Sequence, residues 1–370
     1  MKIPPYWKVK REVRRIRDQL SRVAADFYEQ PMRILHKRWL ITKAQPLAGK
    51  LPLGSKVAIL VVFQPKGVAR SLFLTCDHLI DQGYSPFILC NMPLSEDDRT
   101  ALLARAALLL ERPNFGYDFG AYQDGIRLLH KMGCKPDRLI LMNDSTWFPL
   151  RVNDTSIARM ESSGDAFTGH AFRNEPNIGR GRDHMEAHLI MFDNNALESA
   201  AFGAFWDKYP ASSNRITTID RGEKGITVAM FDAGFVSEGL ASRHLFLERL
   251  ETASSQTLYE ILASASFLPN KLHNRTLELL ATASNSVESQ RQVRDHMIDL
   301  LHLFAPVLST TLIYGAMKEL GLGFVKKSQE ENFHLTRKKV LELEATGEIE
   351  ALDLDVRAEM SASVANWTRG

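Results

Sequence analysis

The chain has 370 residues, 45% of them hydrophobic and 24% charged, with a net charge of +2 and three cysteines, Cys76, Cys90 and Cys134. These proportions are ordinary for a soluble globular protein of one or two domains, and three cysteines without metal-ligand spacing exclude a disulfide framework and point to a reducing compartment. No run approaches the roughly 18 apolar residues of a membrane span, and the charged N-terminus lacks a signal-peptide pattern, so a cytoplasmic protein is expected.

The charge is unevenly spread. Residues 1–50 carry thirteen Lys or Arg against four acids, a net +9, which leaves −7 on the other 320 residues. Within this basic arm Val9, Val13, Ile16, Leu20, Val23 and Phe27 fall on one stripe of a helix, with arginines around much of the remainder. Such a stripe docks either on protein, its own body or a second copy, or on an anionic membrane surface.

From Lys56 the texture becomes alternating strand and helix. KVAILVVFQ, YSPFILCNM, ALLLERPN and DRLILMND read as strands, and VARSLFLTCDHLIDQG, SEDDRTALLARA and FGAYQDGIRLLHKMG as the helices between them. This alternation predicts parallel crossovers, an α/β Rossmann-type sheet with helices on both faces. DAFTGHAF and HLIMFD follow as shorter strands, then ALESAAFGAFWDKY and GITVAMFDAGF as helices. Beyond about Leu250 the patterns are helical, and the charged tail after Ser328 reads as a solvated helix fraying after about Ala358. The expected organisation is a basic helical arm (1–50), an α/β domain (51–250) and a helical C-terminal region (251–370).

Two loops could carry chemistry. In RPNFGYDFGAYQDG, Asn114, Gly116 and Asp118 follow a strand and open a helix, where glycine lets a ligand approach the main chain. In LILMNDS, a buried strand ends on Asn143, Asp144 and Ser145. These residue types form turns, but open parallel sheets also bind ligands beyond their strands' carboxyl ends. Should both loops share one crevice, Asp118 and Asp144 with their oxygen-bearing neighbours could hold Mg²⁺ or Mn²⁺ on a phosphate. Neither a dinucleotide glycine pattern nor a P-loop is present. His184 and His188, in HMEAH, precede a strand pattern. On one strand they would lie about 13 Å apart, too far to share a metal.

Asn114 to Tyr122, Leu139 to Ser145 and the later Phe205-Trp206 resemble the rhamnan synthesis F family, over roughly residues 56–240. The resemblance implies a GT-A-like core that moves a sugar, often rhamnose, from a nucleotide-diphosphate donor to a saccharide or lipid-linked saccharide. It implies donor contacts from Asn114, Gly116, Asp118, Asn143, Asp144 and Ser145, and sets Asn143-Asp144-Ser145 where GT-A enzymes carry Asp-X-Asp. One carboxylate stands there in place of two, so Asp144 would be the metal ligand or would hold the donor's sugar. The resemblance also implies His184 at the site and an acidic base before a late helix, Glu223 with Asp220 beside it. Arg173, Arg180 and Arg182 are candidates for the diphosphate, or belong to a solvated loop.

A peripheral enzyme on the inner face of the cytoplasmic membrane, in surface-polysaccharide biosynthesis, is the resulting expectation. The competing one is a non-catalytic scaffold or carbohydrate-binding partner of a polysaccharide assembly complex. Nucleic acid is not expected as a partner, because the body offers no basic-aromatic platform. Self-association through the arm is compatible with its stripe.

Overall fold

The computed structural model describes residues 27–174, 183–266, 268–302 and 306–368. Helix α1 covers residues 27–42. Then come β1 (Leu47–Ala48), β2 (Lys56–Val62), α2 (Arg70–Asp81), β3 (Ser85–Cys90), α3 (Glu96–Leu103), β4 (Leu108–Glu111), α4 (Tyr117–Lys131) and β5 (Arg138–Asn143). Strands β2 to β5 are parallel, in the spatial order β4-β3-β2-β5. The apolar runs predict burial on both faces, and the period of two divides them. Ala58, Leu60 and Val62 meet α2 through Leu72, Cys76 and Leu79. Val57, Ile59 and Val61 meet α4 through Phe119, Tyr122 and Ile126. Gly125 lets α4 lie close, since a Cβ there would stand 2.9 Å from both the Ile59 and Leu89 Cδ1 atoms.

The strands that follow pair antiparallel. They are β6 (Thr146–Trp147), then, after α5 (Ser156–Ser162), β7 (Phe167–Gly169), β8 (Phe172–Arg173), β9 (His184–Met185) and β10 (Leu189–Asp193). Strand β10 lies antiparallel between β5 and β7, and β1 closes the other edge antiparallel to β4. The helix expected over ALESAAFGAFWDKY is two helices, α6 (Asn194–Glu198) and α7 (Ala200–Lys208). Ser199 breaks them because its extended backbone lets its hydroxyl cap α7 at the Phe202 N–H. Next, α8 (Arg215–Thr218) runs through a π-helical stretch, Ile219–Glu223, into α9 (Lys224–Asp232). Helical dihedrals at Thr218 and at Glu223 make this one continuous rod. Glu223 is therefore inside a helix at a π-bulge and not at a helix start. Gly222 packs on the Phe119 ring there, and a Cβ would stand 2.6 Å from it.

The C-terminal helices α10 (Arg243–Thr252), α11 (Ser255–Ala263), α12 (Asn270–Ala281), α13 (Val287–Leu301) and α14 (Ile313–Leu320) share the apolar core on the α2 side of the sheet. Strand β11 (Val325–Lys326) pairs antiparallel with β6. The tail is not a solvated, fraying helix. Instead α15 (Glu331–Ala345) and α16 (Leu354–Ala365) bury Phe333, Val340, Val356 and Met360. Alternation of charge with these apolar positions disguised a packed pair as a solvated one.

At the other end, α1 is seated on the body by polar contacts. The buried Glu29 carboxylate accepts from the Ser213 N–H (2.8 Å), and the Arg33 Nε donates to the Ala211 carbonyl (2.8 Å). Of the apolar stripe, Val9 to Val23 lie outside the described residues, and Phe27 is 88% exposed.

One buried charge pair ties these parts together. Arg112, directly after β4, and Asp124, on α4, lie 2.9 Å apart with both side chains almost wholly inaccessible. Arg112 also donates to the Asn91 side chain and to the Phe115 carbonyl, and the His36 ring on α1 meets Asp124 at 2.7 Å. Removing one partner leaves an unpaired charge in the core. Asp124→Ala should therefore lower the unfolding free energy by about 3–5 kcal/mol in urea titration; a loss below about 1 kcal/mol would contradict this role.

Candidate active site

A cleft of about 1090 Å³ opens at the carboxyl ends of β2 and β5. Asn114, Asp118, Asn143, Asp144, Ser145, His184 and Glu223 line it. Left-handed backbone turns the chain into α4 at Gly116 (φ +82°) and Tyr117 (φ +51°), and Asp118 follows on the first helical turn. Glycine suits the first of these, whereas a non-glycine residue at positive φ is strained. Gly116 does not line the cleft; its N–H donates to the Ser213 hydroxyl (3.1 Å) and fixes the loop.

The two sequence loops meet directly. Asn143 Nδ2 donates to Asp118 Oδ2 at 2.8 Å, while Asp118 Oδ1 accepts the Phe119 N–H at 2.9 Å. The Asn143 side-chain oxygen accepts from both the Ser145 N–H and its hydroxyl. Residues 143–145 are thus a turn held by an asparagine side chain and, at the same time, a wall of the cleft. Asp144 Oδ2 accepts the Phe63 N–H at 3.0 Å, beyond the end of β2. Burial raises the pKa values of Asp118 and Asp144 above the ordinary carboxylate range despite these donors.

Glu223 reaches the same cleft from the π-bulge. Its pKa is pushed up to about 7, chiefly by burial and next by the charge of Asp118. His184 Nε2 stands 3.5 Å from Glu223 Oε2. Asp220 is absent from the cleft wall, and its carboxylate holds Lys224 at 2.7 Å. Helical spacing explains this: three residues before Glu223 would share its face on a regular helix, but the π-stretch rotates the pair apart.

HMEAH is not one strand. A turn at Ala187 and His188 separates β9 from β10, and His188 packs on Phe324 with ring centroids 4.1 Å apart. Between the two histidines Glu186 turns inward, where it meets Arg173 (3.0 Å) and Lys326. Burial alone would raise its pKa, but Lys326 and then Arg173 override it and hold the carboxyl well below the ordinary range. Arg180 and Arg182 lie outside the described residues.

Sequence reasoning missed Lys326 and Lys327, both of which line the cleft. Their signal was weak: a short apolar run, Leu322 to Val325, ahead of Lys-Lys just before the charged tail and within a region that otherwise reads as helical.

The residues here fit a protein-held divalent cation poorly. Among the described residues no three His, Cys, Asp or Glu side chains come close enough to share a metal. Asn143 turns its amide nitrogen, not its oxygen, toward Asp118. A cation on Asp144 would also face the charge of Lys327, which interacts with that same carboxylate.

The elevated pKa of Glu223 makes stability depend on pH. A carboxyl with an ordinary value of 4.5 and about 7 in the folded chain takes up a proton on folding, so stability falls as pH rises between the two. Glu223→Gln removes that loss. The variant should match the parent near pH 4.5 and exceed it by about 1–3 kcal/mol above pH 7 in denaturant titrations. A difference independent of pH would contradict the shift.

The family model for rhamnan synthesis protein F matches residues 87–253. The uncharacterized protein y4gN of Sinorhizobium fredii (strain NBRC 101917 / NGR234) is 33% identical over 212 residues, 57% of this chain and 55% of that relative. The chain thus spans about half the length of the curated relative it matches. The stretch that the family model matches holds Asp118, Asn143, Asp144, His184 and Glu223.

Proposed function

We propose that the protein is a glycosyltransferase of GT-A type. It would move a sugar, rhamnose by analogy with the matched family, from a nucleotide-diphosphate donor to a saccharide or lipid-linked saccharide acceptor. One observation supports this above the others. Three acidic side chains from separate segments, Asp118, Asp144 and Glu223, share a cleft at strand carboxyl ends, and one of them titrates near neutrality.

The chemistry follows from that arrangement. Glu223 takes the proton of an acceptor hydroxyl as its oxygen bonds to the donor's anomeric carbon. The bond from that carbon to the diphosphate breaks, and the electron pair leaves on phosphate. A pKa of about 7 suits a general base at physiological pH. His184 orients the Glu223 carboxylate from 3.5 Å. Asp118, held by Asn143, hydrogen-bonds the donor sugar.

Incubating the protein with a panel of nucleotide sugars and membrane or oligosaccharide acceptors tests the reading by product formation. Asp118→Ala should abolish transfer. Glu223→Gln should lower the rate by about 10²–10⁴-fold with little change in donor affinity. Unchanged rates in both variants would remove this site from catalysis, and the absence of nucleotide binding would favour the scaffold.

The acceptor's location has its own support. The outward side of α1 exposes Phe27, Tyr28, Met32, Ile34, Leu35 and Ile41, with Lys37 and Arg38 between them. No helix among the described residues is long and apolar enough to cross a membrane. We therefore place a lipid-linked acceptor on an anionic surface touched by this helix. Cosedimentation with anionic vesicles should fall steeply between low and physiological salt, and Ile34→Glu with Leu35→Glu should remove it. Equal binding by parent and variant would contradict that contact.

A further inference from the structure

Strand β11 arrives at the site from about 180 positions further along the chain. Lys326 pairs with Thr146, and the Lys327 N–H donates to the Ser145 carbonyl at 2.9 Å. This places two adjacent lysines against the turn that carries Asp144. Both line the cleft, but the two ammonium groups have different surroundings. Lys326 is committed to Glu186, beside Arg173.

Lys327 is not committed in this way. Its Nζ stands 5.4 Å from the centroid of the Trp147 ring. The carboxylates of Asp144 and Glu359 influence it, but both Glu359 oxygens and the Asp144 Oδ2 already serve other donors. Glu359 accepts from the Ser71 N–H (2.9 Å), the Ser71 hydroxyl (2.6 Å) and the Trp147 indole N–H (2.9 Å). Asp144 Oδ2 accepts from the Phe63 N–H. Among the described residues no hydrogen bond engages the Lys327 ammonium, although it carries three donors. Burial lowers its pKa, as expected of a cation without a bonded anion.

A half-buried ammonium with spare donors, lining a cleft, is a phosphate-recognition element. From this geometry we propose that Lys327 binds the donor's diphosphate and stabilises it as the leaving group without a divalent cation. The Lys326–Glu186–Arg173 cluster fixes the β11 end beside it. This rests on the transferase reading and assigns the charge that balances the leaving group to the protein itself. The poor fit of Asn143-Asp144 to a metal and the spare lysine are then two sides of one arrangement.

Calorimetric titration of the full chain with the diphosphates of uridine, guanosine, adenosine and thymidine, in EDTA and in Mn²⁺, tests it. At least one should bind in EDTA with an affinity within about threefold of that in Mn²⁺. Lys327→Met should weaken it about tenfold or more, and Lys327→Arg should hold it within about threefold. Melting of Lys327→Met near the parent's temperature is expected, because the ammonium makes no internal hydrogen bond. Binding that requires Mn²⁺, or Lys327→Met binding as the parent does, overturns this inference and leaves the transferase reading standing. Failure of every diphosphate to bind in both conditions removes the transferase reading and this inference with it. Should Lys327→Met fail to fold, the comparison of EDTA with Mn²⁺ still decides.

Discussion

The site depends on the hydrogen bond from the Asn143 amide to the Asp118 carboxylate, 2.8 Å long. It joins the end of one strand to the first turn of a helix that enters from another, and so fixes where both loops stand. Everything around it serves to hold those two ends in place. Arg112 and Asp124 lock the loop from β4 to α4 from below, and Ser213 holds Gly116 from the side. The contact is partly buried, so it has weight in an environment where water competes weakly.

A cleft that gathers acids must manage their charge. Asp118, Asp144 and Glu223 each carry a raised pKa, with burial as the main cause. The charge of Asp118 adds to the shift at Glu223, and that of Asp144 to the shift at Asp118. Glu186 goes the other way because Lys326 and Arg173 flank it. Carboxyls with raised and with lowered pKa values thus sit within one cavity, the separation of environments from which acid and base roles are built.

Much of the fold was legible because the strands are apolar on both faces and the helices between them are short. The succession of strands and helices from β2 to β5 follows from periodicity, whereas the meeting of the loops after β4 and β5 was a condition that periodicity could not supply and the Asn143–Asp118 hydrogen bond meets. Three features were not legible. The π-bulge at Ile219–Glu223 needs the close approach of Gly222 to Phe119, a tertiary fact with no local signature. The turn at Ala187 and His188 lies inside a run that alternates well enough to pass for a strand. Strand β11 is two residues long, and its partner is β6, so no window of the sequence announces Lys326 and Lys327 as wall residues. The site's acids belong to the contiguous α/β region, where motif resemblance is informative. Its spare cation comes from the distant helical part, where resemblance has nothing to say.

The central claim is that the acid-bearing cleft at the ends of β2 and β5 receives an activated sugar. A crystal structure with a nucleoside diphosphate bound tests this most directly. The account requires the phosphates to lie in the 1090 Å³ cleft, within hydrogen-bonding reach of Lys327 and beside Asp144. Phosphates bound elsewhere, for instance in the 390 Å³ cavity beside Cys134 and Phe202, with the cleft left to solvent, would contradict it.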